Sequence, residues 1–330
     1  MPVRALLTLL ALIAVLAFGP AAAQADEAVP VPLETAQAEL DILAAKLKSK
    51  RSINEEITAA LDAVSNAYHN LEQPAKPELQ EVPEGASEEE QEAIEKANED
   101  LQDDHEKAMK KFERDHEKFR KDAEKLFLKA LKLMKIHRQS ERNIRDDVNI
   151  KAAQVLGKTG NPKVAQKIQQ TLEKSIFKAK YEVPMQLLEE SFGALGTIGD
   201  EESLEWMVKE FTHAKKSPRA LVDQLIAAHK AMIMYDREKV DGGLRYKLVQ
   251  EMVKTYSGIE SQASQSSTDK NIQAAKVFWD RIKNDAIKAV QYFSFDPRNE
   301  DEEVLATMAE FQDWFRDHKN PRRAPWKRDK

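Results

Sequence analysis

The chain contains no cysteine, which removes thiol nucleophiles, thiolate metal sites, iron–sulfur clusters and disulfides together. An exported domain smaller than about 80 residues would often need disulfides, whereas 330 residues can bury a core without them. Glycine is scarce at 10 residues, and no Gly-x-Ser-x-Gly, P-loop or dinucleotide fingerprint occurs among them. Aromatics make up only 7% of the chain. Beyond residue 25 no apolar run approaches the roughly 20 residues a membrane-spanning helix needs. A formal net charge of −6 argues against nucleic acid as the partner of the whole molecule. What remains is a globular composition with an unusual load of charge, 33% of residues.

The first residues, "MPVRALLTLLALIAVLAFGPAAAQADE", carry one basic residue, Arg4, then an apolar run from Ala5 to Phe18 and a small-x-small triplet, Ala23-Gln24-Ala25. That pattern predicts a signal peptide over 1–25, a mature chain beginning near Asp26, and an exported protein, periplasmic or secreted. An uncleaved N-terminal anchor is the alternative. No cysteine follows the apolar run, so lipidation there is excluded.

Over 26–72 apolar residues recur at Leu40, Leu43 and Leu47, then at Ile57, Leu61, Val64, Tyr68 and Leu71. Steps of three and four predict a helical stripe. "SINE", Ser52 to Glu55, reads as a capping box between two helices, or at a break in one. Residues 73–87, with three prolines and a glycine, read as a linker, and Ser87 to Glu90 as a second capping box. From 88 to 145 the chain predicts one long charged helix. Its seam runs through His105, Met109, Phe112, His116, Phe119, Ala123, Leu126, Ala130, Leu133 and His137. The simplest packing is a helical hairpin with 33–72; self-association of the long helix is the rival.

From Asp146 to 318 the helices shorten and acquire glycine and proline punctuation. "AAQVLGKTGNP" at 152–162 recurs as "SFGALGTIGDE" at an offset of 39 residues, matching Leu156 to Leu195, Gly157 to Gly196 and Gly160 to Gly199. Lacking a Cβ, the first glycine suits a close helix crossing or a turn. The second can take the left-handed conformation that ends a helix. Asn161 or Asp200 then caps the next helix, and Pro162 suits its first position. Weaker units follow at 227–240 and 286–311, separated by a Ser/Gln-rich stretch at 257–271. Helix pairs of this size cannot bury an apolar face alone and must stack.

"VNIKAAQVLGKTGNPKVAQKI" at 148–168 resembles the HEAT-like repeat, in particular the short Ala-Leu-Gly-x-x-Gly-Asp-Pro variety known from phycobilin lyases. The match is good over this unit, fair over 186–211 and degenerate thereafter, and it leaves the first 146 residues unexplained. The resemblance implies a right-handed solenoid of about four helix pairs and a protein-binding scaffold. The expected fold is therefore all-α, a charged helical hairpin or coiled coil followed by a short α-solenoid.

No catalytic, cofactor or metal constellation stands out. His105 and His116 lie eleven residues apart, about 16 Å along a helix, too far for one metal ion. His69 is the only histidine that a two-helix site could add from the N-terminal segment. The acidic run from Glu78 to Asp104 lacks the alternating loop pattern of a calcium site. For protein interaction, Trp206 falls opposite Lys167 in the repeat alignment and off the apolar stripe. If exposed beside Lys209 and Glu210 it is a binding candidate, although contact with an adjacent unit's Tyr or Phe is the favoured reading. Trp279 and Trp314 read as core and end-cap residues. The basic tail, 319–330, offers Arg322, Arg323, Trp326, Lys327 and Arg328 to an anionic partner, or else folds back with Trp326 tucked against the last helix. The functional expectation is a non-enzymatic scaffold that binds envelope proteins through the solenoid, with possible self-association through the long helix. A small-ligand, tetrapyrrole-lyase-like protein and an anionic-polymer binder are the alternatives. No cofactor, nucleic acid or membrane span after signal cleavage is expected.

Overall fold

Leu40, Leu43 and Leu47 fall on one face of a first helix, and Ile57, Leu61, Val64 and Tyr68 on one face of a second. In a computed structural model these faces close on each other as α1 (Leu33–Lys48) and α2 (Asn54–His69). The structure describes residues 29–49, 51–132, 145–178, 182–211, 219–294, 305–323 and 325–326. The segment read as a signal peptide, Leu133, His137, His213 and the tail residues Lys327 and Arg328 lie outside them. Among the described residues every regular element is helical, and no helix is long and apolar enough to cross a membrane.

The capping box expected at Ser52 is not formed. Helix α2 begins only at Asn54, so Ile53 occupies the cap position and has no side-chain oxygen to offer. The second box forms in full. Ser87 Oγ accepts from the Glu90 amide, while Glu90 Oε2 accepts from the Ser87 amide at 2.9 Å. It opens α3 (Glu88–Leu131), 44 residues or about 66 Å long. Residues 70–86 form no helix and carry a bridge from Leu71 to Val31 and a turn at 84–85. Asn98 fastens them to α3, since its side chain both accepts from the Gln80 amide and donates to the Gln80 carbonyl, each at 2.9 Å.

The expected seam of α3 changes character along its length. His105, Met109, Phe112 and His116 are half-buried, and no residue before Phe119 is fully buried. From there Phe119, Ala123, Phe127, Leu128, Ala130 and Leu131 close against the rest of the molecule. Both α1 and α2 pack on α3, so the expected hairpin is a three-helix arrangement.

The remaining helices are α4 (Asp146–Gly157), α5 (Pro162–Thr171), α6 (Met185–Ile198), α7 (Glu201–Phe211) and α8 (Arg219–Met232). After them come α9 (Gly242–Ala263), α10 (Lys270–Ser294) and α11 (Met308–Asp317). Besides the contacts between consecutive helices, each helix packs on the next but one. One file runs α2, α4, α6, α8, α10, and a second runs α3, α5, α7, α9, α11, each member touching the next. Thus α2 and α3 continue the same alternation as the pairs after them. The Ser/Gln-rich stretch is partly helical, because α9 extends to Ala263.

The paired glycines divide the labour that their spacing suggests. Gly157 and Gly196 make close crossings: a Cβ on Gly157 would stand 3.0 Å from Ala194 Cα, and one on Gly196 2.6 Å from the Ala231 carbonyl oxygen. Gly160 and Gly199 hold left-handed φ angles of 60° and 71°. Asn161 then caps α5 by accepting from the Lys163 amide, with Pro162 in the first turn, and Asp200 accepts from the Ser203 amide. Polar contacts tie successive members of each file: Gln154 to Glu190, Gln166 to Glu202, Glu189 to Lys230, and Glu205 to Lys247.

Candidate functional site

Trp206 is not the exposed residue that the alignment suggests. It is 9% exposed, stacks on Phe192 with ring centroids 6.0 Å apart, and meets Phe211 edge-on. Its indole N–H donates to Glu173 Oε1 at 2.8 Å. Glu173 lies on a π-helical turn, Leu172–Ile176, that continues α5 and reaches toward α7. The sixth position of the second helix therefore faces the preceding helix of its own file, and an indole is large enough to fill that gap. Lys209 is exposed and only loosely paired with Glu210, at 3.9 Å. Lys167 does not join them; it lines a separate cleft.

Trp326 is likewise buried, 1% exposed, and so is not available to an anionic partner. The segment around Trp326 folds back over α9 and α11, packing the indole against Tyr246, Phe315 and Trp314. Its N–H donates to the His318 carbonyl at 2.8 Å. The buried Arg245 donates to the carbonyls of Pro325 and Trp326, and Gly242 has no Cβ to obstruct the Trp326 backbone. The residues leading to Trp326 thus cover α9 and α11. Arg322 and Arg323 remain exposed. Trp279 is a core residue, and Trp314 is half-buried in the end-cap.

The cleft that includes Lys167 lies where the end of α2, the middle of α3 and the α4–α5 turn meet, with a volume of about 550 Å³. At its base Glu124, 6% exposed, accepts from the Tyr68 hydroxyl at 2.9 Å and from Asn161 Nδ2 at 2.8 Å. Burial, followed by the Glu124 carboxylate, pushes the Tyr68 phenol up to about 12, so it stays a donor. The Arg120 guanidinium lies 4.5 Å from the Tyr68 ring centroid. Burial lowers the pKa of His69, and Arg120 and Lys158 lower it further; burial and Arg120 do the same to His116. Periodicity points to none of Tyr68, Arg120, Glu124 and Lys163 as partners. The only hint in the sequence is an acid, Glu124, set in the apolar end of the α3 seam.

Comparison with known proteins gives no match: no family model, curated protein or solved structure is significantly similar to the chain.

Among histidines, His229 is completely enclosed. Its Nε2 lies 3.1 Å from the Phe211 carbonyl and 3.2 Å from the Tyr256 hydroxyl. Burial drives its pKa down to about 4, so the ring is neutral near pH 7 and ties α7, α8 and α9 together. Among the described residues no group of acids and histidines is gathered tightly enough to hold a metal ion.

Proposed function

We propose that the protein is a non-enzymatic scaffold of the cell envelope that recruits other proteins, with stacked HEAT-like helix pairs as its frame and α3 as its reach. The leading half of α3 carries this reading. From Glu88 to Phe112 the helix sets Ile94, Leu101, Met109 and Phe112 on one face, none of them fully buried by its own chain and Leu101 40% exposed. A helix of that length made only for solubility has no use for such a seam. The alternate packing and the glycine crossings support the HEAT-like frame. The apolar leader with its small-x-small triplet supports the envelope placement. Lys209 and Glu210 offer a second, smaller exposed patch on α7.

The test is comparative purification of tagged protein from its native cells, with Leu101→Glu and Met109→Glu combined in one variant. The scaffold reading requires at least one stoichiometric partner that is lost from the variant while its melting temperature is unchanged. A partner set that survives the substitutions, or none with either form, would overturn it.

A further inference from the structure

The two clefts between successive second helices are built at equivalent positions and finished differently. Between α5 and α7 the space is filled by Trp206, whose indole is bonded to Glu173. Between α3 and α5 the equivalent residue is Lys167, and an open volume of about 550 Å³ remains, within the range of small-molecule pockets.

Its charges do not cancel. Arg120, Lys121, Lys125, Lys163 and Lys167 line the cleft against Glu117 and Glu124. Lys121 is paired with Glu117 at 2.6 Å, and Lys125 with Asp122 at 2.8 Å. Glu124 is occupied with Tyr68 and Asn161. Arg120, Lys163 and Lys167 have no ion pair with any described residue, and Arg120 Nε is buried without an acceptor. The backbone at the start of α5 adds little. The Lys163 amide already donates to Asn161 Oδ1 at 3.0 Å, and the Val164 amide to the Asn161 carbonyl at 2.8 Å. The donors on offer are therefore side chains, a guanidinium held over a ring and two ammonium groups one helical turn apart. Burial is the main cause of the lowered pKa of His69 and His116, and the Arg120 charge adds to it at both rings. In a chain of net charge −6, this concentration of unpaired positive charge is local.

We propose that this cleft binds a compact polyvalent phosphate, with Arg120, Lys163 and Lys167 as its ligands. A guanidinium fork matches two phosphate oxygens, and lysines supply the remaining charge without a fixed geometry. The buried Glu124 holds Tyr68 and the α4–α5 turn in place.

The site is independent of the leading half of α3, so its failure would leave the scaffold reading intact. The test is calorimetric titration of the full mature chain with inorganic pyrophosphate, with glycerol 3-phosphate and citrate in parallel. One site is expected, weakened at least tenfold in Lys163→Gln/Lys167→Gln and in Arg120→Gln. The affinity should also fall steeply with added salt. The two lysines are exposed, so the double variant should melt with the wild type and keep the test valid if Arg120→Gln misfolds. In the wild-type protein the His69 and His116 ring signals should titrate at higher pH once ligand is bound. Tighter binding of pyrophosphate would point to a free polyphosphate, and tighter binding of glycerol 3-phosphate to an ester. No binding at millimolar pyrophosphate, binding unchanged in the lysine variant, or citrate bound as tightly as either phosphate would each overturn the proposal.

Discussion

The two halves of α3 share one helix, one charge pattern and one apolar seam, yet they are held by different forces. The second half is fixed by burial, with Phe119, Ala123 and Phe127 enclosed by neighbouring helices. The first half is fixed locally. It has a complete capping box, three glutamates at the positive end of the helix dipole, and ion pairs such as Glu106–Lys110 one turn apart. Local terms of this kind are each worth tenths of a kcal/mol to about 1 kcal/mol, whereas enclosing one phenylalanine is worth several. A helix can thus be well formed in a region that adds little to global stability, and its surface is then free for another task.

The same substitution in the two halves should separate these contributions. Phe127→Ala removes a ring that is 1% exposed and should cost about 3–5 kcal/mol in denaturant unfolding. Phe112→Ala, in the half-buried part of the seam, should cost less than half as much. Equal losses would mean that the leading half is part of the global core. Gly196→Ala belongs with the large effects, because its Cβ would be driven against the Ala231 carbonyl. A drop of about 1–3 kcal/mol is expected there, against a gain of up to about 1 kcal/mol from helix propensity for Gly193→Ala, where only Met234 Sδ lies within contact at 3.7 Å.

Acid should act first on the stack, because the carboxylates that hold the leading half of α3, Glu90 and Glu106, protonate only below 4.5. His229 titrates near 6.5 when unfolded and near 4 when folded, so the unfolded state binds the extra proton between those values. The stability contributed by the neutral ring is complete above pH 6.5, falls as pH drops toward 4, and levels off below. The total loss is about 3 kcal/mol. Unfolding free energies measured across this window should show that slope in the wild type and lose it in His229→Gln. A slope that persists in the variant would assign the acid sensitivity elsewhere. The smallest effect is expected at the cap. Ser87→Ala should speed amide exchange in the first turns of α3, by about 1 kcal/mol of local opening, without moving the global midpoint. A shifted midpoint would couple the two halves more tightly than their burial indicates.

Much of this was legible from residue spacing. The two glycines of the repeat, with Asn161 and Pro162 behind them, encode a crossing, a left-handed stop, a cap and a restart, and each residue type has one physical use there. The seam of α3 was legible for the same reason. Trp206 was not: its position matches the exposed Lys167, and what differs is the preceding helix in the file and the π turn that brings Glu173 within reach. The false capping box at Ser52 shows a related limit, since a motif fixes a pattern and not the residue at which a helix starts. The phosphate cleft was hidden by composition. With a third of the chain charged, Arg120, Lys163 and Glu124 look like any other charged residues until three elements meet.

The claim that α3 extends a binding surface is tested most directly by photo-crosslinking in the native cell. A photoreactive residue would be placed at Leu101, and a control at Val277 on α10, which is 63% exposed and lies outside the seam. The scaffold reading requires a distinct crosslink to another protein from position 101 and none from position 277. Crosslinks at 277 alone, or products from 101 that contain only a second copy of this chain, would contradict it.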